Sequence, residues 1–283
     1  MFKKLLFLLV LTSTTFFMNA QTVDGIIENY FENSGGLQKW KDLKSQKMEG
    51  KVLVQGMELP GTISAAYPNK QRMDFSVQGM TIVQAYDGTT AWGINPFQSG
   101  PEPQKMPEEM AEEMDQEFPN IYLHYKDNGH TLELEGKEEI EGTECYKIKV
   151  TKKDGKTEYH FFDTEYYIPV MVRTIASSGP AAGQASETFL SEYEEVDGLM
   201  MPFSIETKMN GQSVMKLAIS SIEINPELED SVFAFPGGTE EEAVEEAPAE
   251  AMEEMIEEAP QKVEKMEKME KMEKPKKAKK DKN

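Results

Sequence analysis

The chain has 283 residues, 51 acidic and 30 basic, for a formal net charge of −21, and hydrophobic residues make up 39 % of it. Such an acidic composition excludes nucleic acid as a partner and disfavours broad binding to anionic lipid, because phosphate-driven association needs clustered Lys and Arg. The single cysteine, Cys145, cannot form an intrachain disulfide, so stability must come from packing.

Residues 1–20 have the layout of a secretory signal peptide: Lys3 and Lys4, the apolar run Leu5 to Leu11, and Phe16 to Ala20 ending in a small residue before Gln21. The apolar run is too short for a membrane span. Met18 stands where a small residue is usual, and no cysteine near the cut offers a site for N-terminal lipid. The expectation is export as a soluble periplasmic protein. Val23, Ile26, Ile27, Tyr30 and Phe31 then recur at helical spacing until Gly35-Gly36 ends the helix, and Leu37, Trp40 and Leu43 suit a second short turn.

Strand signals dominate from there. Lys51 to Val54, Thr62 to Tyr67, Gln71 to Val77, Thr81 to Tyr86, Thr90 to Ile94, Thr131 to Glu135, Glu144 to Val150, Thr157 to Phe162, Ile168 to Ile175, Glu187 to Tyr193, Pro202 to Met209 and Val214 to Ile224 all fit short strands. Spacing of this kind, without helices between strands, predicts an antiparallel barrel or sandwich. Asp87-Gly88 predicts a tight hairpin turn with positive φ at both centres. One segment differs: Pro107 suits a first helical turn, and Met106, Met110, Met114 and Phe118 fall nearly on one face among carboxylates. Unbranched Met side chains adapt to irregular apolar partners, so this helix is expected to be a lid, with packing of Met on the sheet as the other reading.

From Gly237-Gly238 onward the chain loses its aromatics and becomes blocks of like charge, acidic before Pro260 and basic after Pro275. Residues 21–238 therefore read as one domain, about 215 residues and ample for a core, and 239–283 as a disordered charged tail.

Between residues 61 and 97, a Pro68-Asn69 turn, a strand pair, Asp87-Gly88, Trp92 and the closing Asn95-Pro96-Phe97 follow in an order that resembles the carriers of outer-membrane lipoprotein sorting, the LolA-like family. Asp230 to Pro236 resembles that family's closing strand with its Phe-x-Phe-Pro element. The resemblance implies a curved antiparallel half-barrel of about eleven strands, with helices covering an apolar cavity. It also implies a basic residue before the Pro of the first turn to hold the lid. Tyr67 stands there instead, with Arg72 and Arg173 as substitutes on neighbouring strands.

Candidate cavity residues are Phe75, Tyr86, Trp92, Phe97, Phe161, Ile168 and Phe203, with Ile205 beside them, and the lid candidates are Met106, Met110, Met114 and Phe118. Each cavity candidate could equally fill the barrel with its own bulk. His124, His130 and His160 show no metal-ligand spacing and read as surface or barrel-wall histidines. Paired acids such as Glu138-Glu139 read as solvated charge, and Cys145, on the Lys147 and Lys149 face of its strand, lacks a base. No metal, cofactor or enzyme activity is expected. The expected function is a monomeric carrier of lipoprotein acyl chains or another lipid, with sorting partners at the inner and outer membranes. The alternative is an envelope sensor using the same fold.

Overall fold

The computed structural model describes residues 21–54, 56–176 and 183–237; the expected signal peptide and the charged segment 239–283 lie outside the described residues. Helix α1 (Val23–Asn33) starts where the Thr22 hydroxyl accepts the N–H of Gly25 at 3.1 Å, and it buries Ile26, Ile27, Tyr30 and Phe31. Helix α2 (Leu37–Asp42) adds Trp40, whose indole N–H donates to Ser34 at 2.8 Å. Then come β1 (Ser45–Val54), β2 (Met57–Ala66), β3 (Lys70–Val77), β4 (Met80–Tyr86), β5 (Ala91–Asn95) and β6 (Gly100–Lys105). A connector, residues 106–130, carries the short helix α3 (Glu108–Met114) and a 3-10 turn at Ile121–Leu123. It leads to β7 (Thr131–Ile140), β8 (Thr143–Thr151), β9 (Thr157–Asp163), β10 (Pro169–Ile175), β11 (Ala185–Val196), β12 (Leu199–Met209) and β13 (Gln212–Ile224).

All thirteen strands form one antiparallel sheet in the order β6-β5-β4-β3-β2-β1-β13-β12-β11-β10-β9-β8-β7. The chain meanders outward from β1 to β6, crosses by the connector, and meanders back until β13 pairs with β1. The sheet is curved and unclosed, a half-barrel with edges β6 and β7. Four hairpins turn on two residues of positive φ, Gln78-Gly79, Glu141-Gly142, Asp197-Gly198 and Asn210-Gly211, as the right-handed twist of the flanking strands requires. At Asp87-Gly88 only the glycine has positive φ; the Asp87 carboxylate instead accepts the N–H groups of Thr89 and Thr90 in a wider loop.

The strand count exceeds the expected eleven, and twelve of the thirteen strands overlap the stretches read from the sequence. The strand without a matching stretch is β6, Gly-Pro-Glu-Pro-Gln-Lys, whose prolines argue against a strand everywhere except at an edge. The Phe-x-Phe-Pro element is not a closing strand. Asp230–Val232 is a 3-10 turn, and the residues after it lie as a strap in which Phe233 O accepts the Trp92 indole N–H at 2.7 Å and Phe235 meets the Trp92 ring edge-on at 6.2 Å.

Candidate functional site

Helices α1 and α3 sit on one face of the sheet, the inner face. α1 packs on Leu132, Ile148, Val150, Phe162, Leu199 and Met201, together with Tyr122 of the 3-10 turn. α3 places Met114 and Ala111 on Tyr86 and Ala91. This end of the half-barrel is filled by the protein itself. Tyr30 lies 5.5 Å from the Tyr122 ring and 5.8 Å from Phe162, and burial pushes the phenols of Tyr30 and Tyr122 well above their ordinary range.

Toward the opposite end of the same face no helix packs among the described residues. Register aligns Met48 with Ile63 and Ile222, Val52 with Leu59 and Leu217, Ile63 with Met73, and Ile205 with Leu217. Val52, Leu217 and Ile219 form the buried floor, and Met48, Val54, Ile63, Phe75, Phe203 and Ile205 pack on it half-buried. Gly50 faces Gly61 across β1 and β2, and the Phe75 ring lies over Gly61, where an added Cβ would come 2.6 Å from Cδ1. Alternation brings Met57, Met80 and Met215 to the rim, 50, 40 and 39 % exposed. Along this end of β1–β4, β12 and β13, the inward positions from Met48 to Val54, Met57 to Ile63, Met73 to Val77, Met80 to Gln84, Phe203 to Met209 and Met215 to Ile219 carry no ionisable side chain. Such a surface can sequester an apolar chain but offers no acid, base or nucleophile.

Phe75 and Phe203 therefore come together on the open inner face, with Ile205. Tyr86 is on the inner face but buried beneath α3. Trp92 is on the outer face, aligned with Ala85 and covered by the strap, and Arg72 stacks on it at 5.7 Å. Phe161 is also on the outer face, in a cluster with Ile140, Cys145 and Met171, because its neighbour Phe162 takes the inward position. Phe97 is 48 % exposed in the β5–β6 turn, and Ile168 is half-buried in the turn before β10. Alternation could be read from the sequence, but which face of each strand the helices would cover could not. The outer face carries concavities of about 480 and 600 Å³, lined by Glu49, Thr62, Arg72, Asp74 and Glu223 among others. The first also takes in Phe75 and Pro60 and the second Leu228 and Val232, so their walls mix charge and hydroxyl groups with apolar surface.

The lid candidates separate in the same way. Met106 and Met114 pack on Tyr86 and Ala91, Phe118 joins the α1 cluster, and Met110 is 40 % exposed. Neither arginine holds this segment: Arg72 grips Asp74 and Val232 O, and Arg173 grips Glu138 and Glu187. The anchor is the Pro68-Asn69 turn. Pro68 O accepts the N–H of Phe118 at 2.8 Å, Asn69 donates to Asp115 at 2.7 Å, and Gln71 donates to Met114 O.

Two histidines that read as ordinary wall residues hold further contacts. His160, buried, lies 3.0 Å from Glu158 through Nε2 and 2.5 Å from the Tyr122 hydroxyl through Nδ1. His130, also buried, lies 2.6 Å from Glu117 through Nε2, while its Nδ1 accepts the N–H of Lys153 at 3.0 Å. Burial raises the Glu158 carboxyl, but the hydrogen bond and charge of His160 and the Lys152 ammonium outweigh it and hold it at about 2.

No family model and no curated protein matches the sequence. Solved structures do match in fold. A DUF1329 family protein of Desulfovibrio piger aligns over 76 % of this chain and 98 % of its own, with TM-score 0.54 and 13 % identity. A LolA superfamily protein of Nitrosomonas europaea aligns over 76 % and 98 %, with TM-score 0.52 and 13 % identity. A putative outer membrane lipoprotein-sorting protein domain of Vibrio parahaemolyticus aligns over 74 % and 94 %, with TM-score 0.51 and 11 % identity. The fold is LolA-like.

Proposed function

We propose that the chain is a periplasmic carrier that shields the acyl chains of lipoproteins, or a similar lipidic ligand, on the way to the outer membrane, by burial and without covalent chemistry. The observation that carries this reading is the inner face around Phe75, Phe203 and Ile205, whose inward positions carry no charge and on which, among the described residues, no helix packs. The LolA-like fold supports it, as does the name of the lipoprotein-sorting domain from Vibrio parahaemolyticus. Residues 21–238 are the carrier unit, and the charged segment after it contacts envelope partners. Each methylene buried contributes about 0.8 kcal/mol, so a chain of about twelve gains on the order of 10 kcal/mol before the costs of association.

Phe203→Glu and Ile205→Glu place a charge on the half-buried wall. Binding of an environment-sensitive fatty-acyl probe should weaken at least tenfold in each, with the circular dichroism spectrum retained, while Ser76→Glu on the outer face binds as the unaltered protein does. Equal affinity in all four proteins overturns the reading. In cells, depletion should mislocalise lipoproteins; an altered envelope stress response with normal sorting would indicate a sensor instead.

A further inference from the structure

We propose that the connector crossing from β6 to β7 is fastened to the sheet by two histidine latches that both release on mild acidification. At His160 the Glu158 carboxylate can only accept, so the proton sits on Nε2 and Nδ1 accepts from the Tyr122 hydroxyl. At His130 the backbone N–H of Lys153 fixes Nδ1 as acceptor, so Nε2–H donates to Glu117. In both rings Nδ1 is the atom that reaches across to the other segment. Tyr122 belongs to the connector and His160 to β9; His130 ends the connector and Lys153 lies in the β8–β9 turn.

The carboxylates are placed the other way. Glu158 shares β9 with His160, and Glu117 shares the connector with His130. A proton added to Nδ1 strengthens each ion pair inside its own segment and turns the bond between segments into a meeting of two donors. The Lys153 N–H can only donate, and a Tyr122 hydroxyl that turns to accept must find a new acceptor for its hydrogen among the groups around its ring, which Tyr30 and Phe162 crowd. The other groups facing the rings do not reverse this. Lys152 sits on Glu158 and repels a charged His160. Tyr30 and Tyr193 stay neutral, their phenols raised by burial. Near His130, Asn128 donates to Glu117, and Lys156 is held by Glu112 and Asp154. Asp24 retains Lys126 and Tyr125. Histidine is the side chain whose ordinary charge change falls between pH 5 and 8. The connector thus loosens about its remaining ties.

Hydrogen exchange on the full chain at pH 7.5 and 5.5, corrected for intrinsic rates, tests this. Protection of residues 117–130 should fall at least tenfold at pH 5.5 while β1–β3 keep theirs, and histidine ¹⁵N spectra should show Nδ1 of both rings unprotonated at pH 7.5 and protonated at 5.5. Tyr122→Phe, which lacks the hydroxyl, should show part of this loosening already at pH 7.5. Unchanged protection in the unaltered protein, or a loss spread equally over the sheet, overturns the proposal whether or not the variant folds.

Discussion

Glu158 is the residue whose chemistry reaches furthest into stability. Its carboxyl is held at about 2 against an ordinary 4.5, burial raising it and His160 and Lys152 lowering it further. A depressed carboxyl adds stability that is present above its ordinary 4.5 and is lost as pH falls toward 2, here on the order of 3 kcal/mol while the His160 ring carries its charge. Urea denaturation across pH should therefore show a decline in this acid window that Glu158→Gln removes in large part, the variant being less stable by about 2 kcal/mol at pH 7. A variant with the same acid slope as the parent contradicts this. Half of the cluster was legible in the sequence, since Glu158 and His160 stand two apart on a strand and must share a face. Tyr122 was not, because it arrives from a connector whose path no local spacing encodes. Cys145 was legible in full: alternation placed it opposite Tyr146 and Ile148, and burial on that outer face pushes its thiol up to about 11, which leaves it inert.

At the scale of elements, α3 shows where periodicity misleads. The apolar spacing from Met106 to Phe118 predicts a helix of that extent, but the helix covers only Glu108–Met114. Pro107 opens it, and Pro119 pushes Phe118 out of the helical region, so Phe118 leaves to join α1. Met106 precedes the helix, and its Cε fits against Gly93, where a Cβ would stand only 2.6 Å away. Lid and packing readings thus divide among the residues. Met114→Glu should cost about 2 to 4 kcal/mol, since it buries a charge against Tyr86. Met110→Glu, at an exposed position, should stay within about 0.5 kcal/mol. Chemical denaturation of the two variants checks this; equal losses would mean that Met110 is packed after all. The strap was illegible for a related reason: Phe233 and Phe235 alternate as a strand would, yet their partners are Trp92 and Lys105 on the outer face, not a neighbouring ladder.

For the whole molecule, an unclosed sheet poses a problem that a closed barrel does not have, because β6 and β7 each present an unpaired edge to other chains. β7 is interrupted by a bulge at Gly136 and carries Glu133, Glu135 and Glu138, which Lys149 and Lys147 hold over the outer face, so a second copy would bring like charges together. β6 is protected differently. Met106 donates its N–H to Ala91 O, so by strand alternation the nitrogen of Pro103 falls on the free edge, and Pro101 lies beyond it where the pairing with β5 shifts register. Neither proline can donate to a docking strand. The sequence suggested an acidic, soluble monomer but could not locate this protection, because prolines in a sequence read as loop until the neighbouring strand is known. Replacing Pro101 and Pro103 together with Val restores both donors and raises strand propensity. The variant should keep its fold and associate in a concentration-dependent way by sedimentation velocity, whereas the parent should sediment as a monomer over the same range; a variant that remains monomeric would show that the edge is guarded by something other than its prolines.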